Sequence, residues 1–224
     1  MHTYSIRPAA LSDGPFLAES IIEAEKSNTD KAGLSTLFEI SEEALAQLIV
    51  NMLEEEIDGC DYAVSSFLIA ETNGKPVAAV AGWVEELEGE APSHQLRSNL
   101  FGFTFPEENI LAFQQKKSLV GPLQIDRQPG TLQIEHVYVH PDHRGRALAG
   151  RLIEAHIARA LRDAPGVTKA EIQLVANNAA ALRSYEKIGF RLVRTYHADD
   201  PKVLDLLPDN TRLLLEKELN QPSA

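Results

Sequence analysis

Cysteine is nearly absent from the sequence, which has only Cys60 among 224 residues. A single cysteine cannot form an internal disulfide or a cysteine-based metal cluster, so we expect Cys60 to be a small buried residue. Long apolar runs are also missing. The longest are a few residues, whereas roughly 20 apolar residues are needed to span a bilayer. The N-terminus lacks a basic segment followed by an apolar one, so no signal peptide is expected. These absences predict a cytoplasmic protein without a membrane partner.

Basic residues are scarce as well, with 21 Lys and Arg against 33 Asp and Glu and a formal net charge of −12. This balance argues against a nucleic-acid partner, because phosphate backbones bind basic surfaces. The deficit is concentrated in residues 1–60, which contain 12 acids and 3 bases, whereas Arg144, Arg146 and Arg151 cluster with no acid between them. Two ligands of opposite sign would explain this pattern, and so would a solvated acidic helix surface.

The spacing of apolar residues predicts a chain that mixes strands and helices. The strongest local signal is Asn73-Gly74 between two apolar runs, which predicts a β-hairpin. Ser12-Asp13 and Ser41 are candidate helix caps, and Ser27 to Gly33 is predicted as a loop. The predicted strands are 3–8 at a sheet edge, 66–71, 76–84, 132–139, 169–175, 190–197 and 211–217, and the predicted helices are 14–25, 41–57, 146–161 and 178–188. No repeat or low-complexity linker is present, so we predict a single domain over 1–224.

Residues 85–130 follow this pattern least. They begin acidic, contain Phe101, Phe103 and Phe105, and include a candidate helix from Pro106 to about Ser118. Period-two spacing of the aromatics favours a packed strand or a lid over an aromatic substrate cage. A segment this long is either a lid over a site or a contact surface for another subunit. The apolar surplus predicts a monomer or homodimer, with the homodimer favoured.

The stretch Ile134–Ile153 combines a strand, a short basic turn and a helix start. N–H groups from Gly145 to Ala149 would point at one place, where the helix N-terminus adds about half a unit of positive charge. Small residues let a diphosphate approach this backbone closely. The pattern predicts an anion site, and the alternative is a turn that merely starts a helix.

Two motifs together resemble the GNAT superfamily of N-acetyltransferases. Val-Tyr-Val-His-Pro-Asp-His-Arg-Gly-Arg-Ala-Leu-Ala, from Val137 to Ala149, is similar to the acyl-CoA motif of that family. Asn178-Ala-Ala-Ala-Leu-Arg-Ser-Tyr-Glu-Lys-Ile-Gly-Phe190 resembles its Asn-x-x-Ala-x-x-x-Tyr-x-x-x-Gly-Phe segment. The order of elements agrees too, except at about 85–130, which we interpret as an insertion. The resemblance implies an α+β, three-layer fold with a mixed central sheet of about seven strands flanked by helices.

The resemblance also implies how acetyl-CoA binds as cosubstrate, with no metal. It assigns pyrophosphate binding to Arg144, Gly145, Arg146, Ala147, Leu148 and Ala149. The backbone of Val137, Tyr138 and Val139 would bind the pantetheine arm on a strand that splays from its neighbour, and Asn178 would contact pantetheine or cap its helix. Tyr185 corresponds to the tyrosine that protonates the CoA sulfur, although it could instead be a core aromatic packed by Phe190.

Ala147 departs from the family pattern, which usually has glycine at this position. Alanine resists positive φ and adds a methyl group that would face the phosphates. If the position is already helical, the cost should be a few tenths of a kcal/mol or less. Cofactor binding is therefore still expected.

Glu135 is the predicted general base, because many family members carry a carboxylate at this place. Its neighbour His136 should point to the opposite sheet face, since strand side chains alternate. A salt-bridged glutamate is the alternative, and Glu171 and Gln173 on the next strand are reserves. His136 and His140 would lie roughly 13 Å apart on an extended strand at about 3.3 Å per residue, so with His143 they predict no shared metal.

The main hypothesis is an N-acetyltransferase that transfers the acetyl group of acetyl-CoA by direct attack of a primary amine in a ternary complex. The acidic N-terminal helices favour a cationic acceptor, either a small molecule or a peptide amine. Acylation of a protein N-terminus or lysine stays open. The hypothesis from another class is a non-catalytic acyl-CoA-binding sensor or assembly module.

Overall fold

The computed structural model of the chain describes residues 3–219. Within them the strands are β1 (Ser5–Pro8), β2 (Phe67–Thr72), β3 (Lys75–Val84), β4 (Leu132–Val139), β5 (Lys169–Val175), β6 (Arg191–His197) and β7 (Thr211–Glu218). The helices are α1 (Gly14–Lys26), α2 (Gly33–Phe38), α3 (Glu42–Glu54), α4 (Ser93–Thr104), α5 (Glu107–Val120), α6 (Leu148–Asp163), α7 (Ala179–Lys187) and α8 (Val203–Leu206). None of the helices between residues 3 and 219 has the length and apolar content that a membrane crossing requires.

The strands of this part of the chain form one seven-stranded sheet in the order β1-β2-β3-β4-β5-β7-β6. Its neighbours are antiparallel except β4 and β5, which run parallel. The predicted hairpin joins β2 to β3, and Asn73 and Gly74 have φ values of 51° and 72°, as a type I′ turn requires. The predicted mixed sheet flanked by helices is confirmed.

The sheet separates two apolar layers. On the first face α1 and α3 bury Leu17 and Leu45, and on the second face α6 buries Leu152. Side chains alternate along β3, so Ala81 joins the first layer and Val80 the second. The result is a three-layer arrangement, with the sheet between two layers of helices.

Residues 85–130 form α4 and α5, which pack against α3 and α2. Phe101, Phe105 and Phe113 surround Phe38, with ring centroids 5.2, 4.6 and 4.8 Å from that ring. The predicted helix after Pro106 is confirmed. The strand alternative for the three phenylalanines is wrong, because the first two lie in α4, where Phe101 turns inward and Phe103 is 77% exposed. The assignment of this segment as an insertion stays a prediction.

Local signals fail at two short helices and at one cap. α2 and α8 have 6 and 4 residues, which are too few to show a helical period, so the sequence did not predict them. α2 begins at Gly33, where the predicted loop ends. Ser41 caps α3 as predicted, accepting a hydrogen bond of 3.2 Å from Ala44 N. Asp13 instead accepts two hydrogen bonds from Arg7, at 2.7 and 2.9 Å, which fastens α1 to β1.

The parallel pair β4 and β5 separates partway along its length. Pairing runs from Leu132↔Ala170 to Ile134↔Ile172 and then ends, although β4 continues to Val139 and β5 to Val175. The second half of β4 therefore pairs with β3 only, and its other edge is open. This divergence is the splay that the resemblance implies, and it determines where the candidate site lies.

Candidate active site

The opening between β4 and β5 contains a cavity of about 130 Å³. It is lined by Ala24, Glu25, Ser27, Glu135, His136, Val137, Gln173, Leu174, Val175, Asn178, Ala181, Tyr185, Leu207, Pro208 and Arg212. The structure thus brings together four predicted site residues, Glu135, Val137, Asn178 and Tyr185. A second cavity of about 570 Å³ adjoins it and shares part of its wall.

A β-bulge in β4 places Glu135 and His136 on the same face of the sheet. The pairing with β3 advances from Ala81↔Glu135 to Ala79↔Tyr138, so β4 advances three residues while β3 advances two. His136 is the extra residue, and its φ of 49° lies in the left-handed region. The prediction that the two side chains point to opposite faces is wrong, because it assumed unbroken alternation. Both side chains line the cavity.

Behind these two residues lies a group of charged side chains that we call the buried ion cluster: Asp61, Arg97, Arg127, Glu135 and His136. Arg97 donates to Asp61 Oδ2 at 3.0 Å, and His136 Nε2 lies 3.5 Å from the same oxygen. Arg127 forms an ion pair with Glu135 through Oε1. The salt-bridged alternative for Glu135 is therefore present, yet no other hydrogen bond within residues 3–219 engages its Oε2.

Opposite charges in the buried ion cluster outweigh the effect of burial. Burial alone would raise the pKa of Asp61 and lower that of His136. Arg97 and the nearby His136 hold the pKa of Asp61 well below its ordinary range. Asp61 and Glu135 in turn raise the pKa of His136 above its ordinary value. His136 therefore stays protonated to a higher pH than an ordinary histidine, which stabilises its contact with Asp61.

Ligand-type atoms of Asp61, Glu135 and His136 lie within 4.8 Å of one another, a spacing that could hold a metal ion. Both carboxylates, however, already pair with an arginine. A divalent cation would have to enter beside two guanidinium groups, which Coulomb repulsion opposes. We interpret the cluster as ion pairs that fix the cavity wall.

Sequence reasoning missed Asp61, Arg97 and Arg127. Asp61 directly follows the lone cysteine, and both arginines come from the 85–130 segment, so no motif links them to β4. Arg97 lies 36 residues from its partner Asp61. The same segment contains Lys116 and Lys117, so the sequence has no signal that singles out these two arginines.

Tyr185 projects from α7 into the cavity and is only 6% exposed. Burial raises the pKa of its hydroxyl, so the group stays protonated and can donate a proton. Tyr185 also shares an apolar cluster with Phe190, so the core-packing alternative is present as well. Asn178 caps α7, its Oδ1 accepting from Ala181 N at 3.1 Å, and it lines the same cavity.

The turn before α6 lies beyond the end of β4 and is exposed from Arg144 to Ala147. The first helical hydrogen bond runs from Arg151 N to Ala147 O at 3.0 Å, so the preceding N–H groups at Leu148 and Ala149 have no helical acceptor. Gly145 has φ of 75°, and no atom lies within 4 Å of where its Cβ would be. This open, donor-rich end fits a diphosphate.

Side chains at this turn have contacts of their own, and one of them engages the last carbonyl of β4. Arg144 Nε donates to Val139 O at 3.1 Å, and the Arg146 guanidinium lies 6.0 Å from the Tyr4 ring centroid. The Tyr138 hydroxyl donates to Glu19 Oε1 at 3.3 Å, and burial raises the pKa of Tyr138 to about 12. The Tyr138 side chain therefore packs on α1.

Ala147 has φ of 56° and ψ of 22°, which is left-handed backbone. The condition for a small cost, a helical conformation at this position, is not met, because the chain reverses here before α6 begins. A left-handed alanine costs about 1–2 kcal/mol, more than the few tenths expected. The turn is therefore strained in this chain where the family's usual glycine would not be.

Ala147→Gly is expected to leave the free energy of unfolding unchanged or to raise it by up to about 1 kcal/mol. Relief of the left-handed strain is offset in part by the greater freedom of glycine in the unfolded chain. Chemical denaturation measures the change. Ala158→Gly, at an exposed position within α6, is the matched control and should lose about 1 kcal/mol. Equal losses in the two variants would contradict a left-handed Ala147.

Other candidates lie outside the cavity or have partners. Glu171 accepts from Gln133 Nε2 at 2.8 Å behind the cavity, where burial raises its pKa, so this reserve base does not reach the acceptor. His143 Nδ1 lies 2.9 Å from the Tyr4 hydroxyl. Cys60 is buried as predicted, and burial raises the pKa of its thiol to about 12.

Comparisons with known proteins agree on one family. Residues 37–190, more than half of the chain, match the model of the Acetyltransferase (GNAT) family. Mycothiol acetyltransferase from Brachybacterium faecium is 37% identical over 93 residues. That match covers 39% of this chain and only 28% of the length of the curated relative.

Solved structures share the fold over nearly the whole chain. An N-acetyltransferase from Staphylococcus aureus Mu50 superposes with a TM-score of 0.64 at 18% identity, covering 95% of this chain and 99% of that one. A putative acetyltransferase from Salmonella typhimurium, solved with its cofactor acetyl-CoA, gives 0.54 at 16% identity over 99% of this chain and 97% of that one. At these identities the likeness establishes the fold.

Proposed function

The chain belongs to the GNAT acetyltransferase family and is an acyltransferase, and we propose that it transfers the acetyl group of acetyl-CoA to a primary amine by direct attack in a ternary complex. The observation that carries this proposal is the opening between β4 and β5. It holds Tyr185 and Glu135 in one cavity and leads to the donor-rich turn before α6. Family membership favours the enzyme over the non-catalytic sensor that the sequence left open.

The residues of the open edge suit the parts of acetyl-CoA. The free N–H groups from Gly145 to Ala149, with Arg144 and Arg146 beside them, would bind the pyrophosphate. The backbone of Val137, Tyr138 and Val139 would pair with the amides of the pantetheine arm in place of the missing β5 partner. This placement directs the thioester toward Tyr185.

The reaction joins an amine nitrogen to the thioester carbonyl carbon and breaks the carbon–sulfur bond. The acceptor ammonium first loses a proton to a base, and the departing thiolate gains a proton from an acid, so the products are an amide and the CoA thiol. Tyr185 is the proposed acid, because its buried hydroxyl remains protonated. An acyl-cysteine intermediate is not proposed, since Cys60 is buried as a neutral thiol.

Glu135 is the proposed base. Arg127 holds its Oε1, and Oε2 is left to contact the acceptor amine in the cavity. His136 is the second candidate, favoured by its position beside Glu135 on the cavity wall. Glu25, on the opposite wall, adds a carboxylate that favours a cationic acceptor.

Glu135→Gln is expected to lower kcat/KM by about 10²- to 10³-fold. Gln keeps the shape and a hydrogen bond to Arg127 but accepts no proton. His136→Gln should lower kcat/KM much less, and a larger loss in His136→Gln than in Glu135→Gln would assign the base to His136. Glu154→Gln, exposed on α6, is the matched control and should resemble wild type.

The function itself is tested by release of CoA thiol from acetyl-CoA with a broad panel of amines and peptides. Mass spectrometry should find the acceptor heavier by one acetyl group. When the acetyl group of acetyl-CoA is isotopically labelled, the label should appear on the nitrogen of the acceptor. CoA binding with no turnover for any acceptor, insensitive to Tyr185→Phe, would support the sensor instead.

A further inference from the structure

Arg212 is a cation in the cavity for which the mechanism has no use. It lies on β7, directly across from Val175 of β5, and its half-buried side chain lines the cavity. Both strands belong to the β5 side of the opening, opposite the edge of β4. A guanidinium here faces the acceptor and lies away from the turn proposed for pyrophosphate.

The guanidinium of Arg212 makes no hydrogen bond, ion pair or ring contact with any residue between 3 and 219. Burial lowers its pKa, and the fields of Glu25 and Glu135 oppose this effect without either carboxylate coming within ion-pair distance. Arg97 and Arg127, by contrast, each have a carboxylate partner. An arginine that lines a cavity without a carboxylate partner has its N–H donors available to an anionic ligand.

A second donor lies beside Arg212. Gln173 is on the same face of β5, two residues from the position that pairs with Arg212, so the two side chains are diagonal neighbours across the β5–β7 pair. The Gln173 Nε2 is buried and has no hydrogen-bond partner in the described chain. Together, the planar guanidinium and the amide offer several N–H groups to the two oxygens of one carboxylate.

The opposite charge is provided at the same cavity by Glu25 and Glu135. One unpaired cation and two carboxylates around a cavity of about 130 Å³ complement a compact zwitterion. We infer that the acceptor is an amine that also carries a carboxylate, an amino acid or a close analogue, with its carboxylate on Arg212 and Gln173 and its amine toward Glu135. The inference rests on the proposed acetyl transfer, whose products would then be an N-acetyl amino acid and the CoA thiol.

A carboxylate is favoured over a phosphate because the cavity offers one unpaired cation. A phosphate dianion would call for more than one cation, and Arg212 is the one unpaired cation among the described residues that line this cavity. A peptide N-terminus lacks a nearby carboxylate unless an acidic side chain supplies it. Free amino acids and acidic N-terminal peptides are therefore separate arms of the test.

The experiment compares matched acceptors with the wild-type protein: the twenty amino acids, their carboxamides and their decarboxylated amines. Acetyl-CoA-dependent thiol release gives kcat/KM, and calorimetric titration with CoA present gives binding without turnover. We expect one or a few free amino acids to be preferred over their own carboxamides by roughly 10- to 100-fold, chiefly through KM and Kd. Equal use or tighter binding of the carboxamide or the decarboxylated amine would overturn the inference.

Variants then assign the preference to Arg212. Arg212→Gln should reduce the preference for the acid over its own carboxamide to under about threefold, and Arg212→Lys should restore part of it. Arg191→Gln, an exposed arginine on β6, is the matched control and should keep the full preference. An undiminished preference in Arg212→Gln would contradict the assignment.

The two readouts separate this inference from the proposed function. Binding of the free amino acid that depends on Arg212 but gives no acetylated product would overturn the acetyl transfer and keep the carboxylate site. Turnover of simple amines with no effect of a carboxylate would keep acetyl transfer and overturn the site. A failure of every amino acid to bind in the calorimeter would overturn it as well.

Discussion

Tyr185→Phe is expected to lower kcat by about 10²- to 10³-fold and to leave the KM for acetyl-CoA within about twofold. The hydroxyl is buried in the cavity at the opening between β4 and β5, and burial keeps it protonated. Phenylalanine retains the ring that packs with Phe190 but has no proton to give to the departing thiolate. The loss should therefore fall on the chemical step.

The same variant separates catalysis from packing. If Tyr185 were only a core aromatic, removal of its hydroxyl would change the free energy of unfolding by about 1 kcal/mol and leave kcat near wild type. Tyr196→Phe, on β6, is the matched control and should leave both quantities nearly unchanged. A sulfur analogue with a better leaving group should recover much of the lost rate, because a more stable thiolate depends less on protonation.

Ala149→Asp is expected to weaken acetyl-CoA binding by at least about 100-fold without lowering stability. Ala149 is in the first turn of α6, and that turn contains no acidic residue. An aspartate there repels the diphosphate and competes for the N–H groups that would bind it. It also suits the helix dipole, so the free energy of unfolding should stay constant or rise by about 0.3–1 kcal/mol.

This variant is informative because it should weaken acetyl-CoA binding without lowering the free energy of unfolding. Calorimetry with acetyl-CoA measures the first quantity and chemical denaturation the second. Ala158→Asp places the same charge on an exposed position of α6 away from the turn and should bind acetyl-CoA like wild type. Retention of affinity in Ala149→Asp would show that the pyrophosphate binds elsewhere.

The sequence predicts those parts of the fold that depend on local signals. The hairpin at Asn73-Gly74 and the cap at Ser41 follow from backbone preferences that neighbouring residues impose, and the structure contains both. The turn at Gly145 and the helix after it can also be predicted from neighbouring residues. Short helices such as α2 escape prediction, because six residues cannot display a helical period and are stabilised by contacts with α5.

Half of the candidate site depends on pairing and packing between distant segments, which the sequence does not display. The bulge that turns His136 toward Glu135 arises from the register between β3 and β4. Arg127 reaches Glu135 from a segment without a motif, and Arg212 joins the cavity because β7 pairs with β5. The left-handed Ala147 shows the same limit, since a residue identity alone did not reveal the conformation of the turn.

Amide hydrogen exchange with and without acetyl-CoA tests the central claim, that the splayed edge of β4 and the turn before α6 form the acetyl-CoA site. Saturating acetyl-CoA should slow exchange in peptides that cover residues 137–139 and 145–150, and Ala149→Asp should abolish this protection at the same concentration. Ala158→Asp should keep it. Protection confined to other segments, or none at all while acetyl-CoA is bound, would contradict the claim.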